Sequence, residues 1–128
     1  MVSRHDQFRQ RAYQFALQVI RLYRRLPRTD EARIIGRQLL RSATSVAANY
    51  RAAGRSRSKA EFVSKMGTVL EEADETVFWL ELLVDAQIVS KGALDDLSVE
   101  SQELLAIFAA SYHTAKRNRQ TKTSDGSI

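Results

Sequence analysis

The chain has 128 residues, of which 44% are hydrophobic, and it contains one proline, five glycines and no cysteine. This length suits one domain with its own hydrophobic core, and the lack of cysteine excludes disulfides and thiolate metal sites. No stretch approaches the ~20 consecutive apolar residues of a membrane span, and the charged N-terminal sequence is unlike a secretory signal, so we expect a cytoplasmic protein.

The net charge of +5 conceals an uneven distribution of charge along the chain. Residues 1–65 carry 15 Lys and Arg against four acids, a net +11, whereas residues 66–128 carry five Lys and Arg against 11 acids, a net −6. This asymmetry has two interpretations, which can coexist. Either the basic half binds an acidic polymer, or the two halves contact each other.

Hydrophobic periodicity predicts four amphipathic helices, because apolar residues recur three and four positions apart. The predicted core positions are Phe8, Ala12, Phe15, Val19, Leu22 and Leu26 in the first helix; Ile35, Leu39, Ser42, Val46, Asn49 and Ala53 in the second; Phe62, Met66, Val69, Ala73, Val77, Leu80 and Val84 in the third; and Leu94, Leu97, Ser101, Leu104, Leu105, Phe108, Tyr112 and Ala115 in the fourth. On the second helix, Ser42, Ser45 and Asn49 share the inner side, where small polar groups suit close helix packing.

Local signals mark the helix ends. The predicted signals are Pro27 as the stop of the first helix, Thr29-Asp30 as the start of the second, Gly54 as its left-handed end, a capping box of Ser58 and Glu61 at the start of the third, and Ser90 as the cap of the fourth. Loops this short make successive helices antiparallel neighbours. The sequence therefore predicts an all-α fold, an up-and-down antiparallel four-helix bundle over residues 1–117, with a flexible polar tail over 118–128.

Two helices carry a second apolar side, turned away from the predicted core. Its residues are Tyr13, Leu17 and Ile20 on the first helix and Phe78, Trp79 and Leu82 on the third. A monomeric bundle seldom exposes this much contiguous apolar surface, so we expect a homo-oligomer interface. The alternative is a set of scattered surface hydrophobes, which are common.

Catalytic and metal-binding patterns are not evident in the sequence. His5 and His113 lie near opposite ends of the chain, neither neighbours an obvious nucleophile, and no Gly-rich phosphate loop is present. A ferritin-like metal site needs inward Glu-x-x-His pairs, whereas the third helix has no histidine and most of its acids lie off the apolar face. We expect no enzyme activity, no cofactor and no bound metal.

The basic residues are better organised. At about 100° per residue, Arg33, Arg37, Arg41, Arg51 and Arg55 fall within about 80° of one side of the second helix, opposite its core face. Arg57 and Lys59 extend this basic stripe into the next loop. Guanidinium groups suit phosphate oxygens, so the stripe predicts nucleic-acid binding without a sequence-reading motif. An acidic third helix of a neighbouring subunit would suit the same arginines.

The segment from Ser42 to Leu83 resembles the four-helix bundle family of 23S rRNA intervening-sequence proteins. The resemblance rests on three motifs: Asn49, Tyr50 and Arg51; then Ser58, Lys59, Glu61 and Phe62; then Glu72, Ala73, Glu75, Thr76, Trp79 and Leu80. The sequence departs from the family pattern at Ala52, where Glu is usual, and at Glu71, where Lys is common in the branch.

The resemblance implies a homopentameric ring of bundles with a basic surface and no established enzyme activity. Relatives include the accessory protein of diversity-generating retroelements, which works with a reverse transcriptase and nucleic acid. The leading hypothesis is a non-enzymatic, oligomeric bundle that binds RNA or DNA. The alternative is a protein–protein adaptor whose arginines contact other subunits or a partner, for example as accessory protein to a reverse transcriptase.

Overall fold

Four helices joined by short loops make up the described part of the chain. The structure is a computed structural model that describes residues 2–126, with side chains up to residue 119. The helices are α1 (Arg4–Arg25), α2 (Asp30–Ala53), α3 (Lys59–Asp85) and α4 (Lys91–Gly126). Consecutive helices pack together and α1 also contacts α4, so α1 and α3 lie diagonally across the bundle. The predicted all-α, up-and-down four-helix bundle is confirmed.

Most helix ends follow the predicted local signals. The Thr29 hydroxyl accepts a hydrogen bond from the Ala32 N–H at 3.3 Å, and Ser90 does the same for Ala93 at 3.3 Å. The first helix ends at Arg25, two residues before Pro27, which cannot donate a backbone hydrogen bond.

Two boundary details differ from the prediction. Gly54 has φ −65° and ψ −14°, a right-handed conformation, so the predicted left-handed end is wrong. Glycine has another role there: it leaves room for the His5 ring, with which a Cβ atom at Gly54 would clash. At the start of α3, Ser58 accepts from the Glu61 N–H at 3.1 Å as predicted, but the Glu61 carboxylate accepts from the Arg57 N–H at 3.2 Å. The Glu61 side chain therefore caps the N–H of Arg57 and not that of Ser58, as a capping box would require.

The core runs along the bundle axis and takes one face from each helix. Its largest fully buried side chains include Phe108, Leu39, Met66, Leu80, Leu83 and Leu94. On α3 the buried face differs from the predicted one, because this helix packs on both α2 and α4. Val63, Thr76 and Leu83 are buried, whereas the predicted core residues Phe62, Val77 and Val84 are only half-buried.

A small polar cluster lies inside the contact between α2 and α3. Ser42 and Thr76 are both buried, and their hydroxyl oxygens lie 2.9 Å apart. Each also lies within hydrogen-bonding distance of a carbonyl in its own helix, Ser42 of Leu39 at 3.2 Å and Thr76 of Glu72 at 2.8 Å. These contacts satisfy the buried hydroxyls and fix how closely the helices approach.

The fourth helix continues to Gly126, through most of the segment predicted as a flexible tail. The fraying predicted from residue 118 stays a prediction, and residues 127–128 lie outside the described chain. Within the residues that the structure covers, no helix combines the length and apolarity that crossing a bilayer requires.

Candidate nucleic-acid interface

All seven residues of the predicted basic stripe are exposed, but they do not form one continuous surface. Arg33 and Arg37 lie near the start of α2, and Arg51 and Arg55 lie at its end. At 1.5 Å per residue, Arg37 and Arg51 are separated by about 20 Å along the helix. The state of Arg41, which lies between them, decides whether the stripe is continuous.

Carboxylates of the same chain neutralise Arg41. Its Nη2 donates to Glu75 Oε2 at 2.7 Å and its Nη1 to Glu72 Oε1 at 3.3 Å. The hydrogen bonds that Arg41 donates, first to Glu75 and then to Glu72, raise its pKa, and the hydrogen bond from Arg41 is the main cause that lowers the pKa of Glu75. The Trp79 indole N–H donates to the other Glu75 oxygen at 3.3 Å. Arg41 therefore joins α2 to α3 and divides the stripe in two.

A second arginine of the basic half also pairs with the acidic half. Arg11 on α1 donates from Nε to Glu100 on α4 at 3.1 Å, and its Nη2 lies 3.5 Å from Glu103. The hydrogen bond to Glu100 is the main cause that raises the pKa of Arg11. The two halves of the chain thus contact each other at Arg11 and Arg41, as one of the two interpretations of the charge asymmetry predicts.

The remaining cations gather at the α2–α3 loop. We call Arg51, Arg55, Arg57 and Lys59 the loop cluster. The three arginines, together with Lys65, line one depression of about 470 Å³, in which Glu61 is the single carboxylate. Among the described residues, no carboxylate forms an ion pair with a side chain of the loop cluster. This surface therefore keeps its charge, unlike the surface around Arg41.

The two helix ends beside the loop cluster affect its cations in opposite ways. Arg51 and Arg55 lie near the C-terminus of α2, where the helix dipole stabilises positive charge. Arg57 and Lys59 flank the N-terminus of α3, which already carries a partial positive charge, so these two cations are unfavourable there. An anion at this point would relieve that repulsion.

Next to the loop cluster, the His5 side chain is half-buried against the bundle. Its ring stacks on Tyr50 with centroids 4.2 Å apart and an interplanar angle of 13°. Burial is the largest effect on His5 and lowers its pKa, against the opposing influence of Asp6. Burial also raises the pKa of Tyr50 to about 12. A signal was present in the sequence, because His5 precedes Phe8 by three residues and so lies on the same helical face.

The residues predicted as an oligomer interface fall into two groups. Tyr13 and Phe78 are exposed, at 58% and 52%. Leu17, Ile20 and Leu82 are half-buried. Trp79 packs against the core of its own bundle and contacts Phe78 edge to face at 4.8 Å. The interface itself stays a prediction, with Tyr13 and Phe78 its most accessible members.

Comparison with known proteins supports the sequence resemblance. A sequence model described as 23S rRNA-intervening sequence protein matches residues 4–110. A solved structure from Bacteroides thetaiotaomicron, described as a protein with unknown function from the S23 ribosomal protein family, is 30% identical, with a TM-score of 0.76. The match covers 82% of this chain and 97% of that chain. No curated protein matches. The chain belongs to the family of 23S rRNA-intervening sequence proteins.

Proposed function

We propose that this protein is a non-enzymatic homo-oligomer, acting in the cytoplasm, that binds RNA or DNA through the loop cluster with little preference for sequence. The observation that carries the proposal is the depression lined by Arg51, Arg55, Arg57 and Lys65, whose arginines have no ion-pair partner among the described residues. Unpaired, exposed arginines in one depression suit the bidentate geometry of phosphate groups.

The expected binding is electrostatic. Each phosphate that a cation neutralises releases counterions, so the affinity falls as salt rises, with a logarithmic slope of about −0.9 per contact on duplex DNA. The sequence contains no recognised base-reading motif, which is why the proposal includes little sequence preference. In a homo-oligomer the loop cluster recurs in each subunit, and contacts that are weak singly add through their high effective concentration.

A pair of charge-reversed variants tests the proposal and its location. Arg55→Glu with Arg57→Glu should weaken binding strongly and reduce the salt slope by about 2 for each subunit that contacts the nucleic acid, because two phosphate contacts per subunit are lost. Arg33→Glu with Arg37→Glu is the matched control, since it changes the net charge equally at the far end of α2. Binding is measured by fluorescence anisotropy at several salt concentrations, and the mass of each variant by light scattering.

Three results would contradict the proposal in different ways. If the wild-type protein binds no nucleic acid at low salt, the function is wrong. If the control weakens binding as much as the loop-cluster variant does, the location is wrong. If the loop-cluster variant dissociates into monomers, the arginines hold subunits together.

The second candidate function is a protein–protein adaptor. Exposure of Tyr13 on α1 and Phe78 on α3 favours it, because large exposed aromatic side chains are enriched at protein interfaces. An assembly that stays intact but binds no nucleic acid would support the adaptor.

A further inference from the structure

Beside the loop cluster, a groove opens between the start of α1, the start of α3 and the second half of α4. It consists of two connected depressions of about 670 and 620 Å³. Both are lined by His5, Phe62, Ala115 and Asn118, so they form one continuous groove. Each volume lies within the range of about 300–1,000 Å³ that is usual for ligand sites.

The first depression is positively charged and contains unsatisfied polar groups. Arg57 and Lys59 line it, and none of its lining residues is a carboxylate. His5 Nε2 and Ser56 Oγ are buried in its wall and have no hydrogen-bond partner in the described structure. A phosphate group in this depression would lie near two cations, Arg57 and Lys59.

The second depression is mostly apolar. Phe8, Phe62 and Ile107 form its walls, and all three are half-buried against the core. Ser111 and Thr114 on α4 provide hydroxyl groups along one side, and Arg4 is the charged residue at its edge. Its lining residues include no carboxylate. A planar, aromatic group with polar edges suits this combination.

Resting on the proposed function, we propose that this groove receives one nucleotide of a single strand, with its phosphate in the charged depression and its base in the apolar one. The protein then prefers single-stranded nucleic acid over a duplex. In a duplex the bases are stacked inside the helix, so only the phosphates reach the protein, whereas an unpaired base can enter an apolar site. The loop cluster continues the path of the backbone beyond the groove.

A charge placed on the apolar side of the groove tests the inference without touching the core. Thr114→Glu introduces a carboxylate at an exposed position of α4 that lines the groove. Thr68→Glu is the matched control, since Thr68 is also exposed in a helix and lines none of these depressions. Each variant is titrated with a labelled single-stranded oligonucleotide and with the blunt duplex of the same sequence.

The wild-type protein should bind the single strand on the order of tenfold more tightly than the duplex. Stacking of one base on an aromatic side chain contributes about this much in other proteins that bind single strands. Thr114→Glu should remove that preference and leave duplex binding equal to that of Thr68→Glu. Equal wild-type affinity for both forms would overturn the inference while the proposed function stands. A Thr114→Glu variant that binds the single strand as tightly as Thr68→Glu does would also overturn the inference. A wild-type protein that binds neither form would overturn both.

Discussion

At the start of α3, two adjacent hydrogen bonds order the chain next to the loop cluster. The Ser58 hydroxyl accepts from the Glu61 N–H, and the Glu61 carboxylate accepts from the Arg57 N–H. Both bonds are at the surface. The first satisfies an N–H in the first turn of α3, and the second satisfies the N–H of Arg57, just before the helix. These bonds determine where Arg57 and Lys59 lie as α3 begins.

Ser58→Ala should lower the free energy of unfolding by about 1 kcal/mol, because one helix N-terminal N–H loses its acceptor. Glu61→Ala should lower the free energy of unfolding by less, since the backbone N–H of residue 61 keeps its bond to the Ser58 hydroxyl. Urea denaturation followed by circular dichroism measures both. Ser64→Ala is the control, an exposed serine inside α3 whose replacement removes no cap. A Ser58→Ala variant as stable as the control would show that this cap does not stabilise α3.

At the scale of the helices, two polar groups join α2 to α3 in different environments. The ion pairs of Arg41 with Glu72 and Glu75 lie at the surface, where the Arg41 side chain is 50% exposed. The Ser42–Thr76 contact is buried. Exposed ion pairs contribute only about 0.2–1 kcal/mol, whereas a buried hydroxyl that loses its partner costs about 1–3 kcal/mol. We therefore expect the buried pair to matter more for the α2–α3 contact.

Ser42→Ala and Thr76→Val should each destabilise the bundle by about 1–2 kcal/mol, and the double variant by less than the sum. The reason is that the Ser42–Thr76 contact is lost only once, whichever of its two hydroxyls is removed first. Arg41→Gln should lower the free energy of unfolding by less than either single substitution does, and its effect should shrink at high salt. Chemical denaturation of the four variants measures the coupling. Additive effects of Ser42→Ala and Thr76→Val would contradict it.

At the scale of the whole molecule, the two most exposed aromatic side chains lie on helices that are diagonal in the bundle. Tyr13 is on α1 and Phe78 on α3, so one copy presents them on different sides. A contact between the α1 side of one copy and the α3 side of the next is heterologous, and such contacts close into rings when the rotation allows it. The homo-oligomer, with five subunits expected, stays a prediction, and we propose this contact as its interface.

Tyr13→Glu or Phe78→Glu should dissociate the assembly and leave the helical content unchanged, because a charge in an apolar contact is costly while both sites are exposed in the monomer. Light scattering gives the mass, and circular dichroism the helicity. Val99→Glu on α4 is the control, with a comparable exposure of 59%. A wild-type mass near 14.5 kDa at micromolar concentration would refute the oligomer.

The sequence by itself determined the helices, their order and most of their ends. These features depend on residues close together in the chain: apolar residues three and four apart, Thr29 and Ser58 beside the N–H groups they cap, and loops too short for any but an antiparallel connection. The family was likewise predictable, because its motifs are contiguous between Ser42 and Leu83.

Only the tertiary structure decided which cations remain available. Arg41 lies on the same side of α2 as Arg37, about one turn further along, yet it is neutralised by Glu72 and Glu75, which are more than 30 positions away in the chain. The groove beside the loop cluster likewise combines residues from α1, α3 and α4. Periodicity places a side chain on a face of its own helix, but the charge and shape of a surface depend on which other helices face it.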